Sequence, residues 1–189
     1  MLDANDMALQ GDAFAEPVRG ILLRCGTSAL PLTRGGKCND ENAATIRGSA
    51  PASLFPDARA PEAAVSGLLL LLGCWEESHE LSQGIDSREG SYWHAIGHRI
   101  EPDSANSGYW FRRVGEHPIF AELHRRALEI LQHGDAPDWH LKPAWDPFLF
   151  IAWCDEARSA PDTAKEHLAL KIQRAEWELL FEWCALEPH

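Results

Sequence analysis

The stretch GSYWHAIGHR, residues 90–99, contains two histidines four positions apart. Four residues make about one turn of an α-helix, so His94 and His98 can present two imidazoles to one metal ion, as histidine pairs do in zinc and iron sites. Nine histidines in 189 residues make one such pair common by chance. The neighbouring residues must therefore be used to distinguish a metal site from histidines that are part of the protein core.

A third histidine, His79, lies on the apolar side of a helix predicted over residues 61 to about 83. It follows Leu68, Leu72 and Trp75 at spacings of four, three and four, which is the period of one helix face. We therefore expect the His79 imidazole to point inward, toward the following helix that carries the histidine pair.

Two carboxylates, Glu101 and Asp103, come directly after the pair, on either side of a proline. A set of imidazoles with one carboxylate can bind a divalent metal, zinc or iron, or can act as an acid and a base. Hydrolysis is the generic reaction of such a site. The predicted metal ligands are His79, His94 and His98, and the predicted catalytic residues are His79, His94, His98 and Glu101.

Several catalytic motifs are missing from the chain. There is no HExxH zinc motif, no GxxxxGK[ST] phosphate loop and no GxSxG nucleophile elbow. Glu76 and His79 form one Glu-x-x-His, the half-motif that di-iron helix bundles use twice, but no second copy follows on another helix. A di-iron site is therefore not predicted.

Aromatic and arginine residues crowd the same segment and suggest a ligand pocket. Aromatic walls suit a flat or sugar-like ligand, and a guanidinium can hold an anionic group. The alternatives are an aromatic core and an internal ion pair between an arginine and Glu101 or Asp103. The predicted ligand-binding residues are Tyr92, Trp93, Arg99, Asp103, Trp110 and Arg112.

Three functions stay open at this point. The first is an enzyme-like pocket with a histidine and carboxylate site. The second is a noncatalytic module that binds a small molecule in an aromatic and arginine pocket. The third is a structural or partner-binding helical protein. Sequence alone leaves the substrate and the oligomeric state open.

Composition excludes some partners. A net charge of -12 disfavours nonspecific nucleic-acid binding. The longest apolar run, residues 65–75, is shorter than the roughly 20 residues that a membrane span requires, and the first twelve residues lack the pattern of a signal peptide. Five scattered cysteines without a CxxC pair predict neither a disulfide scaffold nor a cysteine zinc site. We therefore expect a cytoplasmic protein without a membrane partner.

The hydrophobic pattern predicts an all-α protein. Residues 61–189 are expected to form a single helical domain of about five main helices, two of them buried and central, starting near residues 61 and 147. Residues 1–60 are expected to form an irregular arm, in which residues 18–25 have the composition of a short strand. Ser91 is predicted to cap a short helix, and residues 101–108 to form a loop. In the last helix, Lys171, Arg174 and Glu178 are expected on the solvent side.

Residues 79–118 contain the elements HE, YWHxxxHR, EPD and YWFRRVGxHP. This segment, about a fifth of the chain, resembles the signature of a family of uncharacterised bacterial and fungal proteins. The resemblance marks the segment and implies no mechanism, fold or cofactor.

Overall fold

The computed structural model describes residues 14–26, 30–136 and 138–187, and within these ranges it contains helices and no strand. The predicted all-α class is confirmed, but the described residues after 60 form seven helices where about five were expected, and three more helices precede them. The helices are α1 (Val18–Cys25), α2 (Asp40–Arg47), α3 (Pro51–Leu54), α4 (Pro61–Leu71), α5 (Trp75–Gly84), α6 (Arg88–Ile100), α7 (Ser104–Val114), α8 (Phe120–Gln132), α9 (Pro147–Arg158) and α10 (Ala164–Ala185).

The strand expected at residues 18–25 is wrong, because this segment forms α1. Its buried residues Val18, Ile21 and Leu22 recur at the spacing of a helix face, which a short apolar run does not distinguish from a strand by composition. Helices α2 and α3 follow before residue 60, so a little under half of the described part of the expected irregular arm is helical. The division of the chain at residue 60 stays a prediction.

The single helix expected over residues 61–83 is two helices, α4 and α5. Gly73 lies between them with φ of 75°, a left-handed conformation that glycine adopts without a steric penalty. The next residue, Cys74, forms a disulfide with Cys38, which corrects the expectation that the cysteines are unpaired. Helix α4 is buried as predicted, with Leu68 and Leu70 in the core.

Helices α6 and α7 begin at other residues than expected. Ser87, not Ser91, caps α6, because the Ser87 side chain accepts a hydrogen bond from the Gly90 backbone N–H. Asp103 caps α7 in the same way through Asn106 N–H. Most of the loop expected at residues 101–108 is therefore helix, and only three residues separate α6 from α7.

The last helix, α10, packs against α4, α8 and α9 and is covered on several sides. Lys171 is exposed as expected, but Arg174 and Glu178 are buried, so their predicted solvent positions are wrong. Arg174 Nε donates to Glu178 Oε1 at 2.7 Å, a pairing that makes burial of both charges tolerable. Helix α9 is less enclosed than predicted, since Phe148 is 44% exposed.

Among the residues described, no helix combines the length and the apolar character that crossing a membrane requires.

Candidate metal centre

Two neighbouring helices bring the three predicted histidines together. His79 extends from α5, and His94 and His98 extend from α6, one turn apart. The Nε2 atoms of His94 and His98 are 3.1 Å apart, and those of His79 and His98 are 3.4 Å apart. All three side chains offer a ring nitrogen within 4.8 Å of the others. The expected convergence of these imidazoles is present in the structure.

These distances fit a tetrahedral metal shell. Two nitrogens bound to one zinc ion at 2.0–2.1 Å with a tetrahedral angle are separated by about 3.3 Å. The two measured Nε2 separations lie close to this value. A neutral imidazole has only one N–H donor, so three imidazoles at these distances cannot all form hydrogen bonds with one another. A cation between them could instead be coordinated by all three.

The opposite ring nitrogens of the α6 histidines face polar groups. His94 Nδ1 lies 3.2 Å from the backbone carbonyl oxygen of His79 and 3.2 Å from Ser82 Oγ. When Nδ1–H donates to this carbonyl, the lone pair of Nε2 faces the cluster. His98 Nδ1 lies 3.4 Å from Glu101 Oε2. Carbonyls and carboxylates in these positions are the usual partners of metal-binding histidines.

Burial favours the neutral, metal-binding state of His79 and His94. Burial, together with the nearby His79 and His98 as potential like charges, lowers the pKa of His94 to about 4, although its hydrogen bond to the His79 backbone acts in the opposite direction. Burial lowers the pKa of His79 as well. The nearby His98 and Arg34 act in the same direction, and Glu101 acts in the opposite direction. A neutral imidazole is available to a metal ion without first releasing a proton.

Tryptophans lie against two of the three imidazoles. The Trp75 ring is stacked on His79 with centroids 4.6 Å apart, and Trp110 lies 4.2 Å from His94. The Trp75 indole N–H donates to the Gly97 carbonyl at 2.9 Å, which fixes α5 against α6. Trp110 is the predicted ligand-binding aromatic residue that the structure places at the cluster.

The other predicted ligand-binding residues lie elsewhere. Tyr92, Trp93 and Arg99 are buried on a different side of α6, in the core. Arg99 forms an internal ion pair, which is the alternative that the sequence left open. Its partner is Glu176 and not Glu101 or Asp103.

The two remaining candidates sit on or next to α7. Asp103 is occupied as the cap of this helix, where it accepts from Asn106 N–H at 3.0 Å. Arg112 is exposed on α7. Neither residue contacts the three imidazoles in the described structure.

Arg34, which sequence reasoning missed, borders the site. Its guanidinium lies 4.2 Å from the centroid of the Trp75 ring and forms ion pairs with Glu76 and Glu101. The residue is 67 positions from Glu101, and no local pattern marks it. It also lines a cavity of about 410 Å³, whose walls include Pro31, Arg34, Leu70, Leu71, Trp75 and Glu76.

Comparisons of this chain with protein-family models, curated proteins and solved structures gave no match.

Proposed function

We propose that this protein binds a divalent metal ion, zinc or iron, through the Nε2 atoms of His79, His94 and His98, and uses it in a hydrolase-like site. The observation that carries the proposal is the position of His98 Nε2, 3.1 Å from His94 Nε2 and 3.4 Å from His79 Nε2, with a ring nitrogen of each of the three residues within 4.8 Å of the others. The carbonyl and carboxylate at the opposite ring nitrogens support it.

His79, His94 and His98 would hold the ion, which would supply Lewis-acid activation of water or of a substrate. Within the chain, the His79 carbonyl orients the ring of His94. The Glu101 carboxylate lies 3.4 Å from His98 Nδ1 and is partly exposed, so it is the carboxylate to which we assign the transfer of a proton to or from a substrate.

Metal analysis tests the proposal directly. Protein without a histidine tag is saturated with zinc, dialysed and measured for bound zinc by mass spectrometry. We expect one zinc per chain in the wild type and less than a tenth of that in His94→Ala and His98→Ala. His167→Ala is the matched control, because His167 is an exposed histidine on α10. Circular dichroism shows whether each variant is folded.

Two outcomes would overturn the metal site: wild-type protein that retains no zinc, or folded variants that retain as much as the wild type. His98→Gln provides a second variant of similar size if His98→Ala does not fold. Hydrolysis of nitrophenyl esters and phosphates is then measured with and without zinc. If one zinc ion binds per chain but no hydrolysis is detected, the metal site is supported and the hydrolase function is rejected.

A noncatalytic binding function is the second candidate, and the cavity of about 410 Å³ beside Trp75 favours it. A cavity of this size with aromatic and apolar walls and a few polar groups is typical of small-molecule sites. Ligand-dependent thermal stabilisation in a small-molecule screen, retained in Trp75→Phe but lost when Leu70 is enlarged to Trp, would support binding in this cavity.

The absence of a nucleic-acid partner and a cytoplasmic location are also proposals. The net charge of -12 supports the former. The disulfide between Cys38 and Cys74 argues against the latter in part, because stable disulfides are rare in reducing compartments. Fractionation of cells that express the full chain tests the location.

A further inference from the structure

The disulfide between Cys38 and Cys74 joins an exposed loop to the start of α5. Cys38 is partly exposed, and the residues on both sides of it, 33–37 and 39–41, are exposed. Cys74 is only 2% exposed. A thiol from solution can therefore approach the sulfur of Cys38, while the sulfur of Cys74 is shielded.

A cation lies next to the accessible sulfur. Arg47 Nη2 is 3.6 Å from Cys38 Sγ. The other charged groups here are Glu77, whose carboxylate lies within 4.8 Å of both sulfurs, and Asp40. Arg47 contacts both carboxylates, at 2.5 Å for Glu77 and 3.2 Å for Asp40, and so offsets their negative charge. A positive charge at this distance stabilises a thiolate relative to a thiol.

The second sulfur, that of Cys74, has different surroundings. Cys74 is the N-cap residue of α5, a helix of ten residues. Its side chain, however, makes no capping hydrogen bond to the first-turn N–H groups, and its sulfur lies 3.8 Å from the Leu72 carbonyl oxygen. With Glu76 and Glu77 in the first turn, these surroundings favour the protonated thiol at Cys74, so the reduced pair is stabilised by Arg47 at Cys38.

We propose that Cys38–Cys74 is a reversible redox site that exchanges with small thiols such as glutathione, with Cys38 as the attacked sulfur. The thiolate of glutathione bonds to Cys38 Sγ, the bond between the cysteines breaks, and its electron pair leaves on Cys74 Sγ, which takes a proton from solvent. A second glutathione thiolate attacks the glutathione sulfur of this mixed disulfide. Cys38 thiolate and oxidised glutathione are released, so two thiols supply the two electrons. This proposal is independent of the metal centre.

Equilibration of the full chain in glutathione buffers tests the proposal. The ratio of reduced to oxidised glutathione is varied across the range between cytosol and endoplasmic reticulum. After rapid acid quenching and alkylation, intact mass gives the fraction reduced. We expect both forms to be populated within this range. A disulfide that stays fully oxidised throughout would be a structural cross-link and would overturn the proposal.

Variants of Arg47 test the electrostatic cause. Arg47→Gln should move the midpoint by about tenfold toward more reducing buffer, the effect of about one pKa unit on a thiolate beside an opposite charge. Arg47→Lys keeps the charge and should largely restore the midpoint, and Arg112→Gln, an exposed arginine on α7, should leave it unchanged. An Arg47→Gln midpoint equal to that of the wild type would contradict the role of this cation.

Single cysteine variants identify the attacked sulfur. In Cys74→Ser, we expect oxidised glutathione to modify Cys38, as located by peptide mass mapping. In Cys38→Ser, the shielded Cys74 should react at least tenfold more slowly. Mapping separates these products from reaction at the partly exposed Cys25. Equal rates at Cys38 and Cys74 would contradict the assignment.

Discussion

Arg99 on α6 and Glu176 on α10 form an ion pair in which both side chains are completely buried. The Tyr92 hydroxyl donates to Glu176 Oε1 at 3.0 Å, and Arg99 Nε donates to Gln173 Oε1 at 3.2 Å. The two charges compensate each other and the remaining polar atoms are hydrogen-bonded, which are the conditions under which a buried pair is tolerated. The pair connects α6, the helix of the two site histidines, to α10.

Replacing Glu176 with alanine should destabilise the protein strongly. The change leaves the Arg99 charge buried without a counter-charge and removes the acceptor of Tyr92, so we expect the free energy of unfolding to fall by about 3–5 kcal/mol. The double variant Arg99→Met with Glu176→Leu removes both charges and should recover much of that loss. Urea unfolding measures both. A loss below about 1 kcal/mol in the single variant would show that water reaches the pair.

The convergence of the three histidines could be predicted because it depends on local sequence. The spacing of His94 and His98 fixes their common face, and Trp75 and His79, four residues apart on α5, share another. Leu68 and Leu72, the other members of the predicted stripe, lie before α5 and do not define its face. Only three residues separate α5 from α6, which keeps the helices adjacent. This part of the site could be predicted because its residues are close together along the sequence.

Contacts between distant residues could not be predicted in the same way. Nothing near Arg99 identifies Glu176, 77 positions later, as its partner. Arg34 reaches the site through the fold of a loop with no periodicity. The burial of Arg174 and Glu178 follows from the number of helices that surround α10, which the pattern of one helix does not reveal.

Gly67 on α4 is required by the ring of Trp93. A Cβ atom at this position would lie 2.5 Å from Trp93 Cζ2, and the ring is fully buried and cannot move freely. We expect Gly67→Ala to lower the free energy of unfolding by about 1–3 kcal/mol through overpacking, although alanine is the better helix former. Gly84→Ala on α5 is the control, because a Cβ there meets no atom within 4 Å. Equal stability of the two variants would contradict this packing.

Glu101 should matter for metal affinity more than for stability. Its carboxylate lies 3.4 Å from His98 Nδ1, and the loss of such a partner typically weakens metal binding by about 10–100-fold. We expect this reduction in zinc affinity for Glu101→Gln, measured by competition with a chelating dye. Glu80→Gln, at an exposed position of α5, should bind zinc as the wild type does. Unchanged affinity in Glu101→Gln would remove Glu101 from the site.

Glu89 on α6 should contribute stability that depends on pH. The neighbouring His117, 3.8 Å away, and the Trp183 indole N–H, which donates at 3.1 Å, lower the pKa of Glu89 to about 2. The contribution of a carboxyl with a lowered pKa is present above its unfolded pKa of about 4.3 and is lost as pH falls through the folded pKa.

Glu89→Gln should therefore be less stable than the wild type at pH 6, and the difference should shrink between pH 4 and about pH 2. Urea unfolding at several pH values measures this difference. Glu62→Gln, at an exposed position of α4, is the control and should follow the wild type. A difference that is constant across this range would show that the variant acts through packing and not through charge.

Deletion of residues 1–50 tests the division of the chain at residue 60. Before that boundary, Val18, Ile21, Leu30 and Leu32 are buried in the same core as the later helices. Gln173 on α10 donates to the backbone carbonyl oxygens of Leu30 and Pro31. Removing these residues uncovers apolar surface and leaves the Gln173 amide without its acceptors.

We expect the truncated chain to lose cooperative unfolding, because the newly exposed core surface and the lost hydrogen bonds of Gln173 together are comparable to the net stability of a domain. Thermal unfolding followed by circular dichroism and by tryptophan fluorescence tests this, with coincident transitions as the criterion of cooperativity. A truncated chain that unfolds in one sharp transition near the temperature of the full chain would instead show that residues 51–189 form a stable unit without α1 and α2.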